Sequence, residues 1–370
     1  MPVIDLGSVV GPQGPQGNPG PTGADGVQGN PGPNQVTNAT SCNLNGVLAG
    51  NGSKVIVRPV DTQPTPGSVN LVQSGGVAAY CVPVAGMGEN LLDNWCFIAG
   101  GPINQRGQSS YEGVAGIDRW TVRTSMSMTV TASGLRLSYS AGSYADLFQR
   151  LEPSTLAYLA GKTVTLSVLD SNGVHFMTFV WDASGSGSNK GYIAENLQIF
   201  AGGTTGSYTN LCIRAYTNNY TVMAVKLELG LVQTLARQEA GARVLNKLPD
   251  IAAELQKCQR HFIRLYNQSG SYHRFGVANA FSATTAMCMV PLPVTMRGGT
   301  VTLSASNLSL QSGSSQASIS SVTFNGLSSN AVYFDASTSG LTTGAMYLVK
   351  GDYVSGSMRH DGYLDISCEI

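Results

Sequence analysis

The chain has 370 residues, of which only 11% are charged and 45 are glycine, and its 21 basic and 21 acidic side chains cancel to a formal net charge of zero. Soluble domains usually carry about 25% charged residues and roughly 7% glycine, so a helix-rich metabolic enzyme core fits poorly. No basic run marks a dedicated nucleic-acid or anionic-membrane surface. Abundant Gly, Ser, Thr and Asn weaken helices but serve turns, which predicts a mainly β protein of many short strands. The 42% hydrophobic content suffices for one or two buried cores.

Residues 1–10, MPVIDLGSVV, lack a cationic start and do not read as a secretory signal. No apolar run reaches the roughly 18 to 20 residues that span a bilayer, so membrane insertion is not expected. The cysteines Cys42, Cys81, Cys96, Cys212, Cys258, Cys288 and Cys368 are odd in number, scattered and free of C-x-x-C spacing. Buried free thiols are the expected state, in keeping with assembly in a reducing cytoplasm.

The strongest local signal is GPQGPQGNPGPTGADGVQGNPGP, in which Gly11, Gly14, Gly17, Gly20, Gly23, Gly26, Gly29 and Gly32 keep a strict period of three. A collagen triple helix needs hydrogen as the side chain at every third residue, because that position faces the crowded axis, and proline between glycines pre-sets the extended left-handed conformation. Residues 11–33 are therefore expected to form a triple helix on the order of 70 Å long, shared by three chains.

Residues 34–88 are polar, with short apolar pieces such as KVIVRPV (54–60) and VNLVQ (69–73). These are too small to fold alone, so a stalk or collar sharing one core among three chains is expected. Asn38-Ala39-Thr40 fits a glycosylation acceptor pattern that, without a secretory signal, reads as coincidence. Residues 89–245 carry alternating segments, TVTLSVL (163–169), HFMTFVW (175–181) and TVMAVKLEL (221–229), which predict a β-sandwich of jelly-roll type. In the first, Val164, Leu166 and Val168 alternate with Thr163, Thr165 and Ser167, the pattern of a half-buried strand. A connecting helix is expected within 246–265. There Pro249 opens LPDIAAELQKCQRHF, and Ile251, Leu255, Cys258 and Phe262 form a narrow apolar stripe. The stripe could pack on the sandwich or meet its copies on a trimer axis. Residues 266–370 return to strands and predict a C-terminal β-domain.

Within 89–265 the order ENLLDNW, NQRG, GIDRW, KLELG and CQRHF resembles that of bacteriophage fibre and receptor-binding proteins, with His261 where such sequences often carry tyrosine. The resemblance implies a carbohydrate-binding-module-like sandwich on a homotrimeric fibre that projects from the virion surface to host cell-surface glycan, after assembly in the bacterial cytoplasm. It also implies that residues 1–10 anchor the fibre to a capsid or tail protein. A tail fibre and a capsid-attached head fibre both remain open.

Trp95 and Trp120 lie within these motifs and are expected in the core. Trp181, Tyr192, Tyr208 and Tyr220 flank Gly/Ser-rich loops and are the candidate ligand-binding residues, since aromatic faces stack on sugar rings. Hydrolysis of a glycosidic bond would need a pair of carboxylates roughly 5 to 10 Å apart. Glu112, Asp118, Asp146 and Asp182 show no pairing and read as turn, cap or surface residues. His175, His261, His273 and His360 are isolated, and neither H-E-x-x-H nor G-x-S-x-G occurs. No catalytic residue, metal ligand set or cofactor is assigned, and the chain reads as a non-enzyme. A glycan-degrading tailspike is disfavoured because no solenoid-length repeat is present.

Overall fold

Turn-forming residues between short β-branched and aromatic runs fold the chain mainly into antiparallel strands, with two helices among the described residues. The computed structural model describes residues 11–27, 29, 46–50, 55–61, 71–72, 89–113, 116–184, 188–203, 211–239, 241–267, 273–352 and 362–368. The expected anchor 1–10, Gly32, Cys42, Cys81, Tyr208 and His360 lie outside them. Contacts divide the chain into two units, Met1–Gln73 and Ser74–Ile370.

In the first unit, residues 11–27 form neither helix nor strand and are exposed in a single chain. Beyond them, β1 (Gly46–Gly50) pairs antiparallel with β2 (Val55–Asp61), which pairs parallel with the two-residue β3 (Leu71–Val72). The strand expected at 54–60 is thus present over its described residues, and of the one expected at 69–73 only Leu71–Val72 lies among the described residues.

The second unit holds two hydrophobic cores. Around the first lie β4 (Ser110–Glu112), β5 (Thr121–Val122), β6 (Met126–Thr131), β7 (Gly134–Tyr139), β8 (Ala145–Gln149), helix α1 (Pro153–Leu159), β9 (Thr163–Leu169), β10 (Val174–Val180), β11 (Asn189–Ala194), β12 (Leu197–Ala201), β13 (Leu211–Ala215), β14 (Tyr220–Val222) and β15 (Ala224–Leu229). They form sheets of order β14-β7-β6-β4, β11-β12-β13-β8-β5 and β10-β9-β15. Met128, Leu137, Leu147, Ile213, Leu166 and Leu227, drawn from all three sheets, are fully buried in one cluster with Trp120 and Trp181. The hairpin β16 (Ala236–Glu239) and β17 (Ala242–Leu245) follows.

Strand β9 corrects one expectation, because Thr165 and Ser167 are as buried as Leu166 and Val168. Their side is closed by neighbouring polar groups. Thr165 Oγ1 donates to the Gly230 carbonyl at 2.8 Å, and on β15 the buried pair Lys226–Glu228 closes at 3.0 Å, with Glu228 accepting from the Thr234 amide at 2.7 Å. A strand covered on both faces no longer needs alternation.

Around the second core are β18 (Phe262–Tyr266), β19 (Arg274–Ala280), β20 (Thr285–Pro291), β21 (Thr302–Ser306), β22 (Leu308–Ser312), β23 (Ser315–Ser318), β24 (Ser321–Leu327), β25 (Ala331–Ser337), β26 (Met346–Gly351) and β27 (Tyr363–Ser367). They make a seven-stranded sheet, β23-β22-β26-β19-β20-β25-β24, and a three-stranded one, β18-β27-β21. A bulge in β19 brings Gly276 so close to its neighbour that an added Cβ would meet Met289 O at 2.2 Å.

Helix α2 (Ile251–Gln259) leads from one core to the other, with the Asp250 carboxylate accepting from the Ala252 and Ala253 amides as N-cap. It corrects the expected stripe. The helix ends before Phe262, Ile251 is 41% exposed, and the buried helical side chains are Glu254 and Cys258. Glu254 is buried because it is partnered, by the Asn94 amide at 2.7 Å and by Lys257 Nζ at 2.9 Å.

That contact belongs to a network in which the widely separated sequence motifs meet. The Asn94 side chain donates to the carbonyls of Ile103 (2.8 Å) and Asp118 (2.7 Å) and accepts from the Ile103 amide (2.7 Å). Trp120 Nε1 donates to Asn94 O at 2.8 Å. Gln105 bonds both carboxylate oxygens of buried Asp118 and donates to Phe262 O at 2.7 Å. Arg264 forms a two-pronged pair with Asp365 and donates to Arg106 O at 2.8 Å. Gly116 is required here by close approach, since an added Cβ would lie 1.9 Å from Trp120 O. His261 Nε2 faces Glu152 Oε1 at 3.2 Å. Burial, reinforced by Arg119, Arg297 and Arg260, pushes its pKa down to about 2.

Replacing Asn94 by Ala strands the buried Asp118 carbonyl and the part-buried Ile103 amide and carbonyl, and leaves a side chain other than Asn or Gly at φ 51°. A loss of about 3 kcal/mol or more is expected in denaturant unfolding. His261 is neutral in the folded chain, whereas in the unfolded chain it takes a proton near pH 6.5, so its contribution lowers stability as pH falls below that value. The slope is about 1.4 kcal/mol per pH unit, and His261→Gln should flatten it in unfolding curves recorded between pH 7 and 5.

Candidate functional site

The five-stranded sheet buries one face, with Leu197, Ile199, Leu211, Ile213, Ala215 and Leu147 in the first core. Alternation turns the intervening residues to the other side. Register places Tyr192, Gln198, Arg214 and Asp146 in one row across β11, β12, β13 and β8, and Phe200, Cys212 and Phe148 in the next. Tyr216 follows β13 and Tyr144 precedes β8.

These side chains form a connected aromatic and polar surface. The Tyr192 and Tyr216 rings stack with centroids 5.8 Å apart, and Tyr144 meets Tyr216 edge-on at 6.1 Å. The Arg214 guanidinium lies 3.7 Å from the Tyr144 centroid and 4.8 Å from that of Phe200. It is fixed there by two bonds to Asp146, at 2.7 and 2.9 Å, which raise its pKa further, and Arg123 reaches the same carboxylate at 3.2 Å. Tyr216 Oη donates to Gln198 Oε1 at 2.8 Å. The Tyr192 hydroxyl titrates above its ordinary value, first through hydrogen bonding with Tyr216 and then through desolvation. Burial holds the Cys212 thiol well above its ordinary value, so it is not a ready nucleophile.

Tyr192, within β11, is 62% exposed and sits at the rim of this surface. Trp181 corrects the expectation. It is 1% exposed, with Nε1 donating to Gly203 O at 3.3 Å and its ring 6.2 Å from Phe179, so it fills the core instead of facing a ligand. Tyr220 is half-buried, and its hydroxyl donates to Asp170 at 2.5 Å. Burial works to raise the Asp170 pKa, but this bond and those from the Asn172 and Gly173 amides outweigh it and hold the carboxyl below its usual range. Tyr220 is thus committed to a structural contact. Tyr144, Tyr216 and Arg214 were not singled out in the sequence. The period of two through Cys212, Arg214 and Tyr216 marked one strand face, but nothing local tied it to Asp146 or Tyr144.

Of the four acids considered for hydrolysis, Glu112 is exposed on β4 and Asp182 accepts from the Ser184 amide at 2.7 Å. Asp118 and Asp146 are buried, against the expected surface role, because Gln105 partners the first and Arg214 and Arg123 the second. A cleft of about 270 Å³ lies between the first-core region and the C-terminal end of helix α2, lined by Asp93, Arg119, Glu152, Lys257, Arg260 and His261 among others. Arg119 pairs with Asp93, Arg260 with Glu152 and Lys257 with Glu254, so its charges are spent internally. The aromatic sheet face, with its exposed ring and fixed guanidinium, is the better candidate for binding.

In comparisons with known proteins, no family model, curated protein or solved structure matches the chain.

Trp181→Ala should destabilise the fold by about 3 to 5 kcal/mol, whereas Tyr192→Ala should change unfolding free energy by less than about 0.5 kcal/mol. Chemical denaturation of the two variants beside the parent chain checks both.

Proposed function

We propose that the chain is a structural and adhesive subunit of a bacteriophage virion fibre, a homotrimer that binds neutral glycan on the host cell surface. The observation that carries this reading is the unbroken glycine period. In a single chain, a methyl group placed on any glycine from Gly11 to Gly29 in the series would meet nothing within 4 Å. A period of glycine with no steric cause in one chain is what the crowded axis of a three-chain triple helix would account for. A collagen-like rod leading into β-rich parts suits a projecting fibre, with residues 1–10 as its attachment to a capsid or tail component.

The adhesive part of the reading rests on the sandwich, which we take as jelly-roll-like and similar in use to a carbohydrate-binding module. Tyr192, Tyr216 and Tyr144 offer ring faces, while Arg214, Gln198 and the tyrosine hydroxyls offer hydrogen bonds to sugar hydroxyls. Zero net charge suits a neutral ligand better than electrostatic capture. Each site need only be weak, because three linked copies raise avidity by about 10² or more where geometry allows. The separate engagement of the carboxylates favours binding over glycan cleavage.

Purified full-length chain should sediment as a trimer and bind host cells or a glycan array, and Tyr192→Ala should reduce binding at least tenfold with the trimer intact. Equal binding by parent and variant would remove the aromatic face from the reading. Binding by neither would leave a structural head fibre. A monomer at micromolar concentration would overturn the trimeric fibre itself.

A further inference from the structure

The seven-stranded sheet of the C-terminal region carries an apolar core on one side and a cluster of exposed apolar side chains on the other. Its inner face supplies Ala278, Cys288, Val290, Leu310, Phe334 and Val349 to the second core. On the outer face, register aligns Leu348, Val277, Met289 and Tyr333 across β26, β19, β20 and β25, and Met346, Asn279, Met287 and Asp335 in the adjacent row. Met287 is 47% exposed, Met289 41%, Met346 58% and Leu348 38%, with Phe281 beside them at 52%. At roughly 200 Å² per large side chain, these five leave on the order of 500 Å² of apolar surface uncovered, at the upper end for a protein that stays single. Asp335 is the one charged residue in the two rows. Its Oδ1 is screened from solvent and has no hydrogen-bond partner among the described residues, so a contact over this face has to leave the Asp335 carboxylate at the wet edge or bring it a donor.

We infer that this outer face is where three copies of the chain meet in their C-terminal regions, each copy's Met287, Met289, Met346 and Leu348 packing against those of its neighbours around a threefold axis. The inference rests on the homotrimer reading above, and it supplies the occupant. A glycine-triplet rod brings three identical faces to high local concentration, so a contact that one face could not sustain alone becomes favourable. The two rows carry a single charged side chain, Asp335 on β25, so like-charge opposition in a symmetric contact is confined to one carboxylate per copy while the Met287, Met289, Met346 and Leu348 cluster meets its own copies without opposed charge. Methionine, unbranched and polarizable, fills the irregular gaps of such a meeting.

Limited peroxide oxidation of the full-length chain, read by mass spectrometry, tests the contact without mutation. Met287, Met289 and Met346 should oxidise at least tenfold more slowly in the native protein than in the same chain unfolded in guanidinium, despite their exposure in a single copy. A second arm uses the Met287→Asp/Met289→Asp double variant, which should keep its β circular dichroism but dissociate at a concentration at least a hundredfold higher than the parent. Oxidation at the unfolded rate within a sedimenting trimer, or a folded double variant that associates as tightly as the parent, would overturn the contact and leave the homotrimer standing. A parent chain that sediments as a monomer would instead remove the homotrimer reading, and this contact with it.

Discussion

The carboxamide of Asn94 is the point on which the second unit depends. Its donors and its acceptor are engaged with Ile103 and Asp118, and its own amide binds Glu254 on the helix that leads into the second core. A buried polar group is tolerable only when so satisfied, and a satisfied network in a low-dielectric interior fixes one arrangement where apolar packing alone would admit several. Through Gln105 and Arg264 the same cluster grips the first strand of the C-terminal region. Segments far apart in sequence are thus positioned by hydrogen bonds whose geometry leaves little freedom.

A related economy governs the aromatic face. Asp146 is fully buried yet serves the surface, because its two bonds to Arg214 hold a guanidinium over the Tyr144 and Phe200 rings. An arginine fixed in this way loses little entropy when a ligand arrives, and the rings beside it are held by stacking before any contact is made. A pre-set surface of modest size suits weak recognition repeated over several copies.

Two features are not accounted for by contacts among the described residues of one chain. Glycine recurs every third residue where open space surrounds each of Gly11 to Gly29 in the series, and a sheet with a core on one side carries methionines on the other. Both are intelligible if the folding unit extends beyond one copy, since a packing demand from outside leaves its trace on the sequence whether or not the neighbour is present.

By itself the sequence determined the mainly β character, the period of the Gly-x-y segment, the burial of Trp95 and Trp120, and the state of Cys96, Cys212, Cys258, Cys288 and Cys368 as buried free thiols. These follow from local composition and short-range periodicity, which a chain carries along its length. Tertiary structure alone decided that Thr165 and Ser167 are enclosed, that Glu254 and not Ile251 faces inward, and that Trp181 belongs to the core while Tyr192 lies outside it. Each depends on what lies across from the residue, and an aromatic side chain beside a Gly/Ser-rich loop reads the same whether the opposing layer is protein or solvent. The Asp146–Arg214 pair, separated by 68 positions, was illegible for the same reason. Register between strands sets which side chains meet, and register is a property of the assembled sheet.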